Sequence, residues 1–291
     1  MYVVLFHRYD RLGANLINYI CQIIYAHYNG YYIKIIDNEY NHTKYPNSKF
    51  YIILLNYINN VLNINNFGSD QPEGRQGSAG DEILYNFNKY DVQLFCGFVT
   101  QTIKCDLITY FHEHIYNNLD FDDLNNFYNN ISYDFNNSIF CHLRLDDVSH
   151  KKDYDGKLCS MYYKLLIEND KPCVNKFYEY VNNHSPLSND KINIMLDDAI
   201  NNYPNDKIYM VTSPISNTDF NKYDIISNDD VDKDLFILCN SKKIILSRSL
   251  YALSSLFFSK KKEYCYTPSW GFFVVCGLNT KYDKNSLKYI Y

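Results

Sequence analysis

The chain has 291 residues, 46% of them hydrophobic and 21% charged, enough to bury a sizeable core as two domains or one large one. A net charge of -5 with no long basic run argues against a nucleic-acid partner, and no apolar stretch approaches the roughly 20 residues of a membrane span. Nine cysteines, an odd number without paired metal-type spacing, argue against a disulfide framework or a zinc site and predict reduced thiols in a cytoplasmic setting.

Tyr2-Val3-Val4-Leu5-Phe6 predicts a strand, too short and too poor in basic flanks to be a signal-peptide core. The turn His7 to Asn15 follows, then a helix whose Leu12, Leu16, Ile20, Ile23, Ile24 and His27 repeat with helical period until Asn29-Gly30. Tyr31 to Ile36 predicts a second strand, completing a βαβ unit. Its first loop, Arg8 to Asn15, is not the G-x-G-x-x-G dinucleotide fingerprint, so no nicotinamide or flavin cofactor is expected. Gly13 there allows close backbone approach, and the free amides of the helix start can face an anion.

Tyr51 to Leu62 reads as helix, and Val92 to Phe98 as a strand leading into a polar turn at Thr100-Gln101. Gly68 to Gly80 contains no Tyr, Asn, Ile or Lys, the residues that dominate elsewhere; it reads as a flexible linker, native or engineered, and is set aside. The abundance of tyrosine (31 residues) and tracts such as Asn125 to Asn130 fit an AT-rich coding bias, so aromatic clusters carry little argument for a sugar platform. Asp106 to Asn130 reads as helical and polar. From Ser138 a second alternation begins: strands at Ile139–His142, Lys207–Val211, Tyr223–Ile226 and Lys243–Leu246, helices near Met161–Ile167, Val174–Asn182, Met195–Asn202, Asp232–Cys239 and Ser249–Phe258. The expected fold class is α/β with two Rossmann-like domains facing a cleft, residues 1–136 and 137–291.

The richest stretch is Ser138 to Asp147, where a short apolar strand runs into His142, Arg144, Asp146 and Asp147. The carboxyl edge of a parallel sheet is where ligand crevices form. An arginine there suits a phosphate, because its planar fork offers two parallel donors and keeps its charge. The plainer reading pairs Arg144 with Asp146 or Asp147 on a solvated turn. Ser247, Arg248 and Ser249 lie between a strand and a helix, where hydroxyls, a guanidinium and free amides can also meet phosphate oxygens; Ser249 equally fits an ordinary N-cap. His142 reads as a residue that orients the loop, Asp234 as a helix cap or a contact to base or ribose, Trp270 and Phe272 as core, and Lys151 to Gly156 as an acceptor lid or a plain solvated loop.

Several of these segments, taken in order, resemble a known family. Arg11-Leu12-Gly13-Ala14-Asn15 resembles the R-L-G-N-Q element of the α-1,2-fucosyltransferases, and Gly97-Phe98-Val99-Thr100-Gln101 is similar to their G-Y-x-Q-S. His142-Leu143-Arg144-Leu145-Asp146-Asp147 resembles the H-x-R-x-G-D motif they share with α-1,6- and O-fucosyltransferases. Asp234 to Cys239 resembles D-L-x-L-M-x-x-C, Ile244 to Leu253 stands in the place of I-I-x-N-S-S-F-S-W-W, and Pro268 to Phe272 in that of P-x-x-W-F. Asp146 replaces the glycine of the third motif, Ala14 intrudes before Asn15, and Ser247-Arg248 replaces Asn-Ser.

The resemblance implies a glycosyltransferase of GT-B fold; eukaryotic relatives in the secretory pathway carry a membrane anchor, and the lack of one here fits a soluble bacterial or viral enzyme or a trimmed form of a longer one. Such an enzyme needs no metal or cofactor, holds a nucleotide-sugar donor such as GDP-fucose mainly on residues 137–291, and transfers the sugar to a glycan acceptor with inversion. Donor binding then falls to Arg11, Gly13, Asn15, His142, Arg144, Asp234, Ser247, Arg248 and Ser249. Arg144 stabilises the leaving diphosphate, and Asp10, Asp146 and Asp147 are the candidates for the general base. Two alternatives stand beside it: a metal-dependent GT-A transferase using Asp230-Val231-Asp232 as a D-x-D site, and a non-catalytic carbohydrate-binding protein of the same fold.

Overall fold

The computed structural model describes residues 2–5, 12–35, 47–62, 92–144, 187, 189–212, 220, 222–259, 262–268, 276 and 287–290. Backbone contacts divide the chain into two compact units, Met1–Asn129 with Val274–Leu278, and Asn130–Phe273 with Asn279–Tyr291. The linker at 68–80, the loop at 151–156, the predicted helices near 161–167 and 174–182, and Trp270 and Phe272 lie outside the described residues.

In the first unit β1 (Tyr2–Leu5) pairs in parallel with β2 (Tyr32–Ile35), and α1 (Leu12–Asn29) joins them, the expected βαβ unit. Gly30 ends α1 with φ +65, its N–H donating to the His27 carbonyl and that of Tyr31 to the Ala26 carbonyl, a Schellman closure. Residues Leu12 to Ala26 of α1 are all buried. The helix contacts both strands and also α2 (Lys49–Tyr57), α3 (Val92–Ile103) and α4 (Leu107–His114). Ser48 caps α2 and Asp106 caps α4, each through its side-chain oxygen. A single π-helical turn, Ile58–Leu62, continues α2, and α5 (Asp122–Phe127) follows α4.

The segment predicted as a strand, Val92 to Phe98, is instead the first half of α3. Phe95, Cys96, Val99 and Ile103 are the buried positions, spaced one, four and eight apart, and that period belongs to a helix. The run hid it, because Gln93 is its one polar residue and its more exposed positions Gly97 and Phe98 are not polar. Cys96 meets Cys21 of α1 at 3.2 Å between sulfurs, and the Phe98 ring lies tilted 5.7 Å from that of Tyr25. Among the described residues the first unit therefore holds one βαβ unit within a cluster of helices, not the longer strand alternation that was expected.

The second unit is an α/β domain of Rossmann type. Its strands are β3 (Ser138–His142), β4 (Lys207–Val211), β5 (Asp224–Ile226), β6 (Lys243–Ile245) and β7 (Tyr264–Pro268), with β8 (Leu287–Ile290) beside β7. The spatial order is β5-β4-β3-β6-β7-β8 and every pairing is parallel. All five residues of β3 and of β7 are buried, as strands covered on both faces must be. One face packs Ile139, Cys141, Leu143, Met210 and Ile245 against Ile192, Met195, Leu196 and Ala199 of α6 (Asn189–Asn202). On the other, Phe140 stacks on Tyr209 at 5.1 Å, with Tyr133 and Phe135 against Phe140.

Two more helices complete the unit, α7 (Val231–Asn240) and α8 (Leu250–Phe257). Lys262 is buried and its ammonium donates to the carbonyls of Leu238, Cys239 and Ser241 at 2.7–2.8 Å, closing the carboxyl end of α7. Burial pulls that ammonium down to about 8. At the amino edge of the sheet Lys243 forms a buried ion pair with Asp206 at 2.5 Å and donates to the Asn136 carbonyl at 2.7 Å. Among the described residues no helix is long and apolar enough to cross a membrane.

Candidate functional site

The chain enters this sheet at β3, builds β4 and β5 on one flank, and returns through α7 to place β6 on the other. β3 and β6 thus flank the point where strand order reverses. Chain leaving their carboxyl ends runs off in opposite directions, and open α/β sheets form ligand crevices at that place.

The residues delivered there are polar. Leu143 belongs to the α6-side core with Cys141, so alternation assigns His142 and Arg144 to the opposite face. His142 is buried, its Nδ1 2.7 Å from the Ser247 hydroxyl. Arg144 is half-buried and donates from Nη1 to the Arg248 carbonyl at 3.1 Å. Those two bonds join segments a hundred residues apart in the chain and bring Arg144, Ser247 and Arg248 together. Ser249 is the N-cap of α8, its Oγ accepting from the Ala252 amide at 3.4 Å, so the positive end of that helix opens at the same edge.

A cluster of carboxyls adjoins this group through Tyr251. Tyr251, in the first turn of α8, lies 5.7 Å from the His142 ring and donates its hydroxyl to the Val231 carbonyl, bringing the first turns of α7 and α8 together. Burial, with Asp234 and Asp232 behind it, pushes the Tyr251 phenol well up. The N-cap of α7 is Asp230, whose Oδ1 accepts from the amides of Asp232 and Lys233. This corrects the reading of Asp234 as a cap. Capping needs the non-helical backbone that Asp230 has, φ -93 and ψ 105, whereas Asp234 lies inside the helix. Asp234 is buried and accepts from Asn228 Nδ2. Desolvation drives its carboxyl up to about 7, with Asp230 adding to the rise and Asn228 opposing it.

Three of these features have no counterpart in the sequence-based expectations. Tyr251 ties the two helices together, Asn228 holds Asp234, and Thr267 sits buried at the end of β7 with no hydrogen-bond partner for its hydroxyl among the described residues. Buried hydroxyls in native folds are nearly always satisfied, so an orphan at a sheet's carboxyl edge marks a place for water or ligand. Asn228 was legible only as one member of an acidic run. Thr267 needed β7 to be recognised first.

Of the remaining expected residues, two belong to the first unit and four lie outside the described set. Gly13 and Asn15 lie buried in the first turn of α1, in the first unit. Asp10, Arg11, Asp146 and Asp147 lie outside the described residues. Asp230 is engaged as a cap, and among the described residues no group of three histidine, cysteine or acidic side chains is placed to hold a metal ion. No protein-family model, curated protein or solved structure matches this chain.

Proposed function

We propose that the protein is a glycosyltransferase that takes a sugar from a nucleotide diphosphate donor, GDP-fucose being the specific assignment, and transfers it to a glycan hydroxyl with inversion. What carries the reading is the meeting of Arg144, Ser247, Arg248 and the amino end of α8 at the point where strand order reverses. Guanidinium groups, hydroxyls and a helix's positive end all favour a ligand that carries negative charge. Carboxyls at Asp232 and Asp234, next to Tyr251, favour one that also offers N–H or O–H groups. A nucleotide diphosphate has both ends.

The chemistry asked of these groups is limited. The bond from the anomeric carbon to the diphosphate oxygen breaks, charge gathers on the leaving diphosphate, and the acceptor oxygen closes on the opposite face of the sugar while a base takes its proton. Arg144 and the first turn of α8 stabilise the leaving group. Asp10, Asp146 and Asp147 remain the candidates for the base. The proposal extends to a GT-B enzyme, with the donor on the second unit and the acceptor on the first.

Thermal denaturation in the presence of GDP, UDP and dTDP tests it, because a ligand that binds only the native state raises its apparent stability. GDP is expected to raise the melting temperature most, and Arg144→Ala to abolish that rise while melting like the wild type without ligand. Saturating ligand at about 100 times Kd corresponds to about 2.7 kcal/mol. No rise with any of the three nucleotides would overturn the proposal in favour of a protein that does not bind a donor.

A further inference from the structure

The first unit brings three thiols together from three separate stretches of chain. Cys21 lies in α1, Cys96 in α3, and Cys276 in the segment Val274–Leu278, which belongs to this unit. Each is fully buried, at 0% exposure. The sulfurs of Cys21 and Cys96 are 3.2 Å apart, and Cys276 is hydrogen-bonded to Cys96 as well, so Cys96 stands in the middle. Among the described residues no three such groups are placed to hold a metal ion, which leaves chemistry between the sulfurs themselves. A disulfide needs about 2.05 Å between sulfurs, so closing the gap between Cys21 and Cys96 takes about 1.2 Å of movement shared by two side chains. α1 and α3 pack against each other, and that packing already holds the pair in place.

We infer that Cys21 and Cys96 are an oxidative modification site, where a two-electron oxidant of the peroxide class joins them in a disulfide that fastens α1 to α3. The inference is independent of the glycosyltransferase reading. An odd cysteine count points to reduced thiols, and both residues are free thiols in the resting fold; what the fold adds is which two are paired for oxidation. The Cys96 thiolate attacks one oxygen of hydrogen peroxide, the O–O bond breaks, and a sulfenic acid forms while the departing hydroxide takes up a proton and leaves as water. The Cys21 thiolate then attacks the Cys96 sulfur, the S–O bond breaks, and a second water leaves. Two thiols and one peroxide give one disulfide and two waters; the sulfurs lose the two electrons that the peroxide gains. Burial sets the pace. Desolvation, with the Cys96 sulfur adding to it, pushes the Cys21 thiol well up, so closure is slow at neutral pH and faster in alkali. The bridge joins positions 75 apart in the chain, a long loop whose closure restricts the unfolded state.

The test is oxidation of the reduced full chain with hydrogen peroxide at pH 9, alkylation of the remaining thiols in denaturant, and peptide mapping by mass spectrometry without reduction. The expected product is one bridge joining the peptide of Cys21 to that of Cys96. Cys141, a thiol pushed up by burial alone, is expected to be recovered alkylated. Thermal denaturation should place the oxidised wild type about 5 °C or more above the reduced form, and reduction in denaturant followed by refolding should remove the gain. Cys276→Ala is expected to keep both bridge and shift, and Cys96→Ala to lose both. Mapping of the wild type decides the matter even where a variant does not fold. Recovery of Cys21 and Cys96 both alkylated overturns the inference. So does Cys96 carried on to sulfinic or sulfonic acid with Cys21 untouched, or either residue bridged to Cys276 or to any other cysteine. A Cys21–Cys96 bridge that lowers the melting temperature overturns it too, since the bridge then forms only in a distorted fold.

Discussion

Replacing Asp234 by asparagine isolates the cost of keeping a carboxyl under the first turn of α7. The folded chain holds that carboxyl at about 7, chiefly through burial, against about 3.9 in an unfolded chain. Between those values the native state retains a proton that the unfolded state has released. Unfolding then releases a proton, so stability falls as pH rises through the window; the contribution is fully present below pH 4 and gone above pH 7. Three units at 1.36 kcal/mol each amount to about 4 kcal/mol. Asparagine does not titrate, and its Oδ1 still accepts from Asn228 Nδ2, the bond made in the wild type. Urea denaturation of both proteins at pH 4, 6 and 8 measures the difference, in which the titration of every other group cancels. Asp234→Asn should match the wild type within about 1 kcal/mol at pH 4 and exceed it by up to about 4 kcal/mol at pH 8. Parallel profiles across the range would refute a raised carboxyl and with it the view that stability is given up at this edge for binding.

Two further substitutions probe how helices are closed at their carboxyl ends. Lys262→Met removes the buried ammonium that satisfies three carbonyls at the end of α7, and the orphaned oxygens are expected to lower stability by about 3 kcal/mol, read as a fall in the urea midpoint at unchanged slope. Gly30→Ala forces a side chain onto a backbone at φ +65. The open space around that position removes any clash, so the loss should be the conformational term alone, about 1 kcal/mol by thermal denaturation, and a neutral result would show that α1 does not need its Schellman closure.

Much of this architecture is legible in the chain because local chemistry and tertiary role agree. Asn29-Gly30 stops α1 where a positive φ is needed, and Ser249 precedes α8 where a hydroxyl acceptor is needed. The strands from β3 to β6 are short apolar runs of the kind only a doubly covered parallel sheet buries. Legibility ends where one residue type serves two purposes. In Val92 to Phe98 the outward face of a helix is apolar, so run length suggested a strand while the four-residue spacing of Phe95, Val99 and Ile103 was masked. β7 was invisible because Tyr264, Cys265 and Tyr266 say little in a tyrosine-rich chain, and because the lysine before them, Lys262, reads as surface yet is buried as a helix cap.

The candidate site shows the same division between what is local and what is not. His142 and Arg144 were readable as one polar cluster after a strand, and Ser247, Arg248 and Ser249 as another before a helix. Nothing in either segment says that they are neighbours. Their meeting depends on β6 pairing with β3 rather than extending the flank begun by β4 and β5, and that is a property of the whole sheet. The role of Asp234 turns on the same distinction. Three aspartates within five residues, at 230, 232 and 234, compete for one cap, and the backbone of Asp230 decides it. Asp234 is left in the interior, where its carboxyl has to be kept neutral or matched by a donor. The Asn228 amide supplies one such donor. Because the group remains raised to about 7 despite it, a ligand offering further N–H groups would bring the carboxyl back down, and its binding would release a proton near neutral pH. Proton release on nucleotide binding, followed as a buffer-dependent heat in calorimetry at pH 6.5, therefore reports contact with Asp234 directly; heats independent of buffer would place the ligand's donors elsewhere.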